Sequence, residues 1–249
     1  MATLRVHDST EYWKKTDLMV KPASYPMAVG YDVPSVDTIH RPLTLDLSEV
    51  CHEDRVYWAV RRAQDILLSS LALVALSPLL LVTYAAIWID SPGASPIFTQ
   101  QRVGRNGKLF KMYKFRTMYV QTEEEEQKGW TKKNDPRVTG VGKFLRKTSL
   151  DEFPQLFNVL KGDMSLVGPR PERPQYVEKF REEIPRYMIK HQVRPGMTGW
   201  AQVNGYRGDT SIRKRIEHDL YYIENWTLGL DVKILFLTVF KGFINKNAY

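Results

Sequence analysis

The uncharged stretch ILLSSLALVALSPLLLVTYAAIWI, residues 66–89, decides the fold of this chain. As an α-helix, its 24 residues would be about 36 Å long, enough to cross the roughly 30 Å hydrocarbon core of a bilayer. Ser77 and Pro78 lie at its middle, where proline removes a backbone donor and clashes with the preceding turn. The sequence therefore predicts a helix that is broken and bent at Ser77-Pro78.

Both flanks of this stretch are basic. The positive-inside rule keeps such flanks in the cytoplasm, which favours a helix that enters and leaves the membrane by one face. We assign this re-entrant helix to residues 53–90. Two alternatives remain open, an ordinary spanning helix and the buried core helix of a soluble protein. The flanking cations are Arg55, Arg61 and Arg62 before the stretch, and Arg102, Arg105, Lys108 and Lys111 after it.

The rest of the 249-residue chain is polar by comparison, with a formal charge of +8. Its one cysteine, Cys51, excludes an internal disulfide framework and a zinc site built from cysteines. Residues 1–52 contain four prolines and no apolar segment of the kind found in secretory signals. We interpret them as a loosely ordered polar arm, and residues 91–249 as a domain on the cytosolic face of the membrane.

Residue periodicity predicts an α+β, mostly helical fold. Alternating segments at Ile97–Val103 and residues 108–117 flank Gly104-Arg105-Asn106-Gly107, a pattern typical of a β-hairpin. Helical patterns follow at residues 151–160, 174–190, 209–225 and 229–241. We expect the third of these to be an amphipathic surface helix at the membrane interface. The last fits either the core or the interface equally well.

The adjacent acids Asp151 and Glu152 are the first candidates for chemistry. Ser149-Leu150-Asp151-Glu152 matches the S-x-x-E capping box, so the pair has a purely structural interpretation. The functional interpretation uses the same position, because a helix start keeps carboxylates ionised, so that one can attack while the other binds a cation. The sequence is compatible with both.

Cations and glycines surround the acid pair. Guanidinium groups and accessible backbone amides suggest a phosphate substrate with a divalent metal. A solvated basic face is the alternative. The common nucleotide-binding loops, G-x-x-x-x-G-K-[ST] and G-x-G-x-x-G, are absent from the sequence. The residues concerned are Arg137, Lys143, Arg146, Lys147, Arg170 and Arg173, with Gly140, Gly142, Gly162 and Gly168.

A third block, residues 194–205, mixes turn-forming residues with Trp200, Gln202 and Asn204. These side chains suit stacking on a base or recognition of hydroxyl groups. A plain structured loop explains them equally well. The five histidines show no metal-ligand spacing, and His191 fits a structural role better than that of a base.

Several motifs in order resemble those of the bacterial sugar transferase family, the monotopic phosphoglycosyl transferases that act on undecaprenyl phosphate. The resemblance covers residues 55–245, and the Ser77-Pro78 pair resembles the break in that family's re-entrant helix. The chain departs from the family in its polar arm of about 50 residues. The motifs are KFRTM at 114–118, TSLDExPQ at 148–155, GDMSLVGPRP at 162–171 and RPGMTG at 194–199.

The resemblance implies a transferase that moves a sugar 1-phosphate from a UDP-sugar to undecaprenyl phosphate. Asp151 would attack the sugar-bearing phosphate and form a covalent aspartyl-phosphosugar, releasing UMP. Glu152 would hold Mg²⁺, with Asp163 as a second metal candidate. Cationic and polar side chains would bind the substrate. These are Lys114, Arg116, Arg137, Arg146, Arg170 and Arg194, with Gln202 and Asn204.

The implied setting is the bacterial inner membrane, with the catalytic domain facing the cytoplasm and resting on anionic lipids. The alternative in a different class is a basic peripheral membrane adaptor without catalysis. Nucleic-acid binding has only the charge of +8 in its favour and no recognised motif. The sugar, the glycoconjugate pathway, the oligomeric state and the role of residues 1–52 are not readable, and a homo-oligomer is compatible with the sequence.

Overall fold

The computed structural model describes residues 55–120, 135–208 and 210–242. The predicted arm over residues 1–52 lies outside these ranges. The described residues form a mostly helical α+β fold, as predicted. Its helices are α1 Arg55–Asp90, α2 Gly140–Thr148, α3 Gln155–Lys161, α4 Pro174–Glu183, α5 Trp200–Val203, α6 Ile212–Glu224 and α7 Leu228–Gly242. Its strands are β1 Ile97–Val103, β2 Leu109–Phe115, β3 Ser165–Val167 and β4 Gly196–Thr198.

Helix α1 continues through Ser77-Pro78 as one helix of 36 residues. An amide at position 78 would donate to the carbonyl of Val74, and proline has no such donor. The Ser77 hydroxyl donates to that carbonyl instead, at 2.8 Å. The helix therefore continues across this pair, which corrects the expectation of a break. The bend at Ser77-Pro78 and the re-entrant path that depends on it remain predictions.

The middle of α1 exposes large apolar side chains. Val74 is 74% exposed and Leu81 71% exposed. By length and composition, Trp58–Asp90 could cross a membrane, and little of its most apolar part is buried against the rest of the protein. A core helix of a soluble protein would be mostly buried, so this exposure argues against that alternative.

Both ends of α1 contact the same domain. Near its start, Arg61 donates to the Val167 carbonyl at 2.7 Å, and Asp65 accepts from the Leu166 amide at 2.9 Å. Near its end, Ile87 packs in an apolar cluster with Phe115 and Leu145. The exposed apolar segment therefore lies between two anchored ends.

The strands form two small sheets. Strands β1 and β2 pair antiparallel, with Ile97 opposite Phe115 and Val103 opposite Leu109, which confirms the predicted hairpin. Strands β3 and β4 pair in parallel. Strands β3 and β4 have only three residues each, which is too short for a two-residue periodicity to be recognised in the sequence. The second sheet was therefore not predicted.

The side chain of Asn158 joins the hairpin to α3. Its Oδ1 accepts from the Tyr113 amide at 3.0 Å, and its Nδ2 donates to the Lys111 carbonyl at 2.8 Å. Asn158 is fully buried, so these bonds replace the water that both strand groups lose. They fix β2 beside α3, where the acid pair precedes the helix.

The main core lies beneath α4, α6 and α7. Tyr187, Tyr222, Ile223 and Ile234 are among its fully buried members. One face of α7 belongs to the core, because Ile234 is buried, while Val232 and Phe236 on another face are about 60% exposed. A place for that exposed face in the membrane interface remains a prediction.

Candidate active site

The acid pair lies in a single 3₁₀ turn, Leu150–Glu152, between α2 and α3. Ser149 ends α2 with a left-handed backbone, φ 57°, and this turns the chain toward α3. The Ser149 side chain makes no capping bond, and the predicted helix at 151–160 begins only at Gln155. The capping-box interpretation is therefore wrong. The Ser149 hydroxyl instead accepts from Arg207 at 3.1 Å.

Glu152 is held by three cations. Its Oε1 lies 2.9 Å from Lys114 Nζ and 2.7 Å from an Arg170 nitrogen, and its Oε2 lies 3.3 Å from Arg207. Burial works to raise the pKa of Glu152, but Arg170, Lys114 and Arg207 together hold it well below its usual range. Glu152 is therefore ionised, and it gathers three cationic side chains beside Asp151.

Asp151 differs sharply from Glu152. It is only 9% exposed, and among the described residues its carboxylate makes no hydrogen bond or ion pair. Burial raises its pKa, and the charge of Glu152 adds to the rise, against the opposing charges of Lys114, Arg207 and Arg146. A buried carboxylate without a bonded partner keeps its lone pairs available for a reaction.

The cations around Asp151 come from three separate parts of the fold. Lys114 lies on β2, Arg146 on α2, and Arg170 follows β3. Burial lowers the pKa of Lys114, and Glu152 opposes this. Glu152 also raises the pKa of Arg170. Arg146 is held by a bond from its Nε to the Thr117 hydroxyl, 2.8 Å. Burial lowers the pKa of Arg146, and the charge of Asp151 opposes this. These three predicted residues are brought to the pair.

Other predicted site residues have contacts elsewhere. Arg137 binds Asp135 through two side-chain bonds of 2.8 and 2.6 Å, while Arg116 donates to the Ser95 carbonyl at 2.7 Å. Asp163 accepts from Asn158 at 3.4 Å. These contacts place them outside the shell of side chains that directly bonds Glu152.

The block at 194–205 divides in the same way. Arg194 has Arg62, Arg105, Asp65 and Arg61 as charged neighbours, away from the acid pair. Asn204 donates to the Trp200 carbonyl at 2.8 Å. Gln202 is 9% exposed, and within the described part of the chain its Oε1 is buried without a hydrogen-bond partner. Gln202 therefore presents an unused buried acceptor.

Two of the four glycines, Gly142 and Gly168, serve packing rather than open amides. A Cβ on Gly142 would lie 2.1 Å from the Thr117 carbonyl oxygen, and one on Gly168 would lie 2.7 Å from that of Arg194. The Gly168 amide donates to Thr198 at 2.9 Å, and the Gly142 amide donates to Thr139. The expectation that these amides approach a ligand is wrong, because close backbone contact inside the protein already uses them.

Two arginines of the site escaped prediction. Arg207 lies between Gly205 and Gly208, which both have positive φ, so the sequence Gly-Tyr-Arg-Gly was the available signal. Arg102 was noticed only as a flank of the apolar stretch. Its pKa is lowered to about 10 by burial, opposed by Glu172, and the charge of Arg170 lowers it further.

The acidic side chains of the site fit a magnesium ion only if substrate phosphates supply part of its coordination. Within the residues that the structure describes, no group of three acidic, histidine or cysteine side chains gathers around a common point. Mg²⁺ is often held by one or two carboxylates together with substrate phosphates. Asp151 and Glu152, adjacent and surrounded by cations suited to phosphate, fit that mode.

The chain belongs to the bacterial sugar transferase family, whose profile matches residues 56–245. It is 54% identical over 193 residues to the UDP-glucose:undecaprenyl-phosphate glucose-1-phosphate transferase of Klebsiella pneumoniae, covering 76% of this chain and 41% of that protein. It is 50% identical over 186 residues to the UDP-N-acetylgalactosamine-undecaprenyl-phosphate N-acetylgalactosaminephosphotransferase of Aeromonas hydrophila, covering 74% of this chain and 44% of that protein.

A shorter relative is matched over most of its length. The UDP-glucose:undecaprenyl-phosphate glucose-1-phosphate transferase of Caulobacter vibrioides is 42% identical over 193 residues, covering 76% of this chain and 72% of that protein. The matched part therefore accounts for about two-fifths of the first two relatives and nearly three-quarters of this one.

Proposed function

We propose that the chain transfers a sugar 1-phosphate from a UDP-sugar to undecaprenyl phosphate. The observation that carries this proposal is the contrast within the acid pair. Asp151 is buried without a bonded partner in the described ranges, and three cations hold its neighbour Glu152 at 2.7–3.3 Å. A nucleophile inside a cationic pocket suits attack on a diphosphate. The names of the relatives supply the substrate classes.

The reaction proceeds in two displacements at one phosphorus atom. An Asp151 oxygen bonds to the sugar-bearing phosphorus, the bond from that phosphorus to the bridging oxygen breaks, and UMP leaves with the electron pair. A phosphate oxygen of the lipid then attacks the same phosphorus. The bond to Asp151 breaks, the carboxylate is restored, and a lipid diphosphosugar is released. Covalent catalysis suits two substrates that arrive from different phases.

The surrounding side chains manage charge during these steps. Lys114 and Arg170 both bind Glu152 Oε1, and each has further N–H groups that can donate to phosphoryl oxygens. Arg146 can donate to them from its position on α2. Glu152 and Asp151 would hold Mg²⁺ together with the diphosphate, and that ion would neutralise charge on the leaving phosphate. Asp163 would act only indirectly, since its contact is Asn158.

The remaining polar candidates suit the nucleotide or the sugar. Gln202 is buried with an unbonded Oε1, which fits recognition of a hydroxyl or amide donor. The side chains of Arg137, Arg116 and Asn204 bind groups of the protein itself. For them we propose a role in shaping the walls of the site rather than direct contact with the reacting phosphorus.

The arrangement of α1 supports a re-entrant membrane helix. Arg61 and Ile87 are 26 positions apart, about 39 Å along a straight helix, and both contact one domain. A spanning helix would place that domain on both sides of a hydrocarbon core of roughly 30 Å. A helix that enters and leaves by one face avoids this, and the positive-inside rule places the domain at the cytoplasmic face of the inner membrane.

The test is UMP release from a panel of UDP-sugars, with undecaprenyl phosphate in detergent and with or without EDTA. The relatives are named for glucose and for N-acetylgalactosamine, so the panel includes both. We expect lipid-dependent UMP release with one preferred sugar, abolished by EDTA and restored by Mg²⁺. Absence of UMP release with every sugar would favour the membrane adaptor, and turnover in EDTA would remove the metal from the scheme.

A further inference from the structure

Arginines gather beside the first turns of α1, on a part of the molecule that the proposed reaction does not use. Arg105, on the hairpin turn, donates from Nε to the Gln192 carbonyl at 3.2 Å. Its guanidinium carbon lies 5.5 Å from the centre of the Trp58 ring on α1. Arg194 follows two residues after Gln192. Its pKa is lowered by burial and by the charges of Arg62 and Arg105, with the charge of Asp65 opposing them.

The local carboxylates are already bonded. Asp231 forms an ion pair with Arg61 at 3.2 Å, and Asp65 accepts from the Ser165 hydroxyl and the Leu166 amide. Arg62 donates its two terminal nitrogens to carbonyls at the end of α3, 2.6 and 2.7 Å away. Within the described residues, neither Arg105 nor Arg194 forms an ion pair. Asp65 acts on Arg194 and Asp231 is paired with Arg61. These two carboxylates stand against four guanidinium groups, those of Arg61, Arg62, Arg105 and Arg194, so the cluster has an excess of positive charge.

The position of this cluster is continuous with the apolar part of α1. Trp58, Arg62 and Ile66 are four residues apart, so they lie on one face of the helix. Ile66 begins the uncharged run and is 43% exposed, and the next residue, Leu67, is 60% exposed. The order along this face is an aromatic ring, a cation and then apolar side chains, which matches the headgroup-to-acyl boundary of a bilayer.

We propose that Arg105 and Arg194 bind the phosphate of an anionic glycerophospholipid, with Trp58 and Arg62 at the edge of the site. Guanidinium groups match phosphate oxygens in geometry as well as charge. The lipid supplies the counter-charge that the protein lacks at the level where α1 enters the bilayer. The proposal rests on the membrane placement of α1 and not on the catalytic mechanism.

The test is the melting temperature of the full chain in a non-ionic detergent. Three probes are added separately: dioctanoyl phosphatidylglycerol, dioctanoyl phosphatidylcholine and inorganic phosphate. We expect the phosphatidylglycerol to raise the melting temperature in a saturable way, because it binds the folded state. The zwitterionic lipid should have little effect. If inorganic phosphate gives the whole shift at the same concentration, the site is one for free phosphate and the lipid assignment is overturned.

Charge-matched variants assign the effect to the cluster. Arg105→Gln/Arg194→Gln removes two charges from it, and Lys179→Gln/Arg181→Gln removes two from α4. We expect the first double variant to need at least about tenfold more phosphatidylglycerol for half of the shift. The α4 variant should match the wild type. Arg105→Gln alone covers the case in which the double variant fails to fold, because Arg105 is exposed. An unchanged response in Arg105→Gln and in the folded double variant would overturn the site. UMP release is not measured, so the outcome is independent of the catalytic proposal.

Discussion

Buried charged side chains lie both at the acid pair and at the base of α1, the turns around Arg61. The two regions differ in how many of these side chains are bonded to a partner. At the base of α1, Arg61 is bonded to Asp231, to the Val167 carbonyl and to the Tyr222 hydroxyl, and it stacks 3.7 Å from the ring centre of Trp226. At the acid pair, Glu152 is bonded to three cations, whereas Asp151 is bonded to none of the residues that the structure describes.

This difference separates anchoring from reactivity. A fully bonded buried network holds one geometry, and it fixes the start of α1 against β3 and α7. A buried carboxylate without a bonded partner costs stability, and it remains in a fold only where its surroundings are fixed by other contacts. Glu152 and its three cations provide those contacts. Substitutions in the two regions should therefore change different properties.

The largest expected effect is on turnover, at Asp151. Asp151→Asn removes the attacking oxygen and should reduce UMP release by about 10³-fold or more. The pKa of Asp151 is raised in the folded state, so its ionisation costs stability as pH rises through that range. The variant lacks this cost and should melt no lower than the wild type at neutral pH. Activity within tenfold of the wild type, or a marked fall in melting temperature, would contradict this assignment.

At the base of α1 the effect should be on stability. Arg61→Ala leaves Asp231 buried without its cation and should lower the free energy of unfolding by about 3 to 5 kcal/mol. Denaturant unfolding of the detergent-solubilised protein measures this. Arg61→Lys is the control for charge, and it should recover part of the loss. Wild-type stability in Arg61→Ala would show that the network does not anchor α1.

Arg207 should have an intermediate effect, confined to turnover. It bonds both Glu152 Oε2 and the Ser149 hydroxyl, so Arg207→Gln loosens the turn that presents Asp151. We expect UMP release to fall about 10- to 100-fold, with partial recovery in Arg207→Lys. Steady-state kinetics at several UDP-sugar concentrations measures kcat and KM. Unchanged kcat in Arg207→Gln would exclude this role.

The pH dependence of kcat/KM should sharpen the role of the cations. Asp151 attacks only when ionised, so activity should be lost as pH falls through its raised pKa. Arg207 is among the charges that oppose this rise. Its removal in Arg207→Gln should move the acidic limb of the profile to higher pH. Arg116→Gln is the control, and its profile should match that of the wild type. Superimposable profiles for the wild type, Arg207→Gln and Arg116→Gln would contradict the influence of Arg207 on the pKa of Asp151.

The smallest expected effect is at Arg116. Its side chain donates to the Ser95 carbonyl and lies near Phe98, outside both charged networks. Arg116→Gln should change UMP release by about twofold or less and the free energy of unfolding by about 0.5 kcal/mol or less. A loss of turnover comparable to that of Arg207→Gln would show that Arg116 reaches the substrate after all.

Local patterns made much of this structure predictable. The hairpin followed from alternation around Gly104–Gly107, and the acid pair from two adjacent carboxylates among cations. The sequence could not show that Ser149 ends α2 with a left-handed backbone instead of capping the start of a helix. The short parallel pair β3–β4 was also invisible, because three residues carry no period.

The distribution of charges along the sequence predicted only some of the cations that lie at the acid pair. Lys114, Arg146 and Arg170 reach the acid pair, although they are distant in sequence. Arg194 instead lies with Arg62 and Arg105. Arg207 was missed because a single arginine in a glycine-flanked loop has no periodic neighbours, and its reach to Glu152 arises from tertiary packing.

The central claim is that Asp151 forms a covalent bond to the phosphosugar. Incubation of the full chain in detergent with a UDP-sugar and Mg²⁺, without lipid acceptor, followed by acid quench and peptide mass spectrometry, tests it directly. We predict a peptide containing Asp151 that is heavier by one sugar phosphate, absent in Asp151→Asn and lost when undecaprenyl phosphate is added before the quench. Lipid-dependent turnover in Asp151→Asn, or the same adduct on another residue of the wild type, would contradict the account.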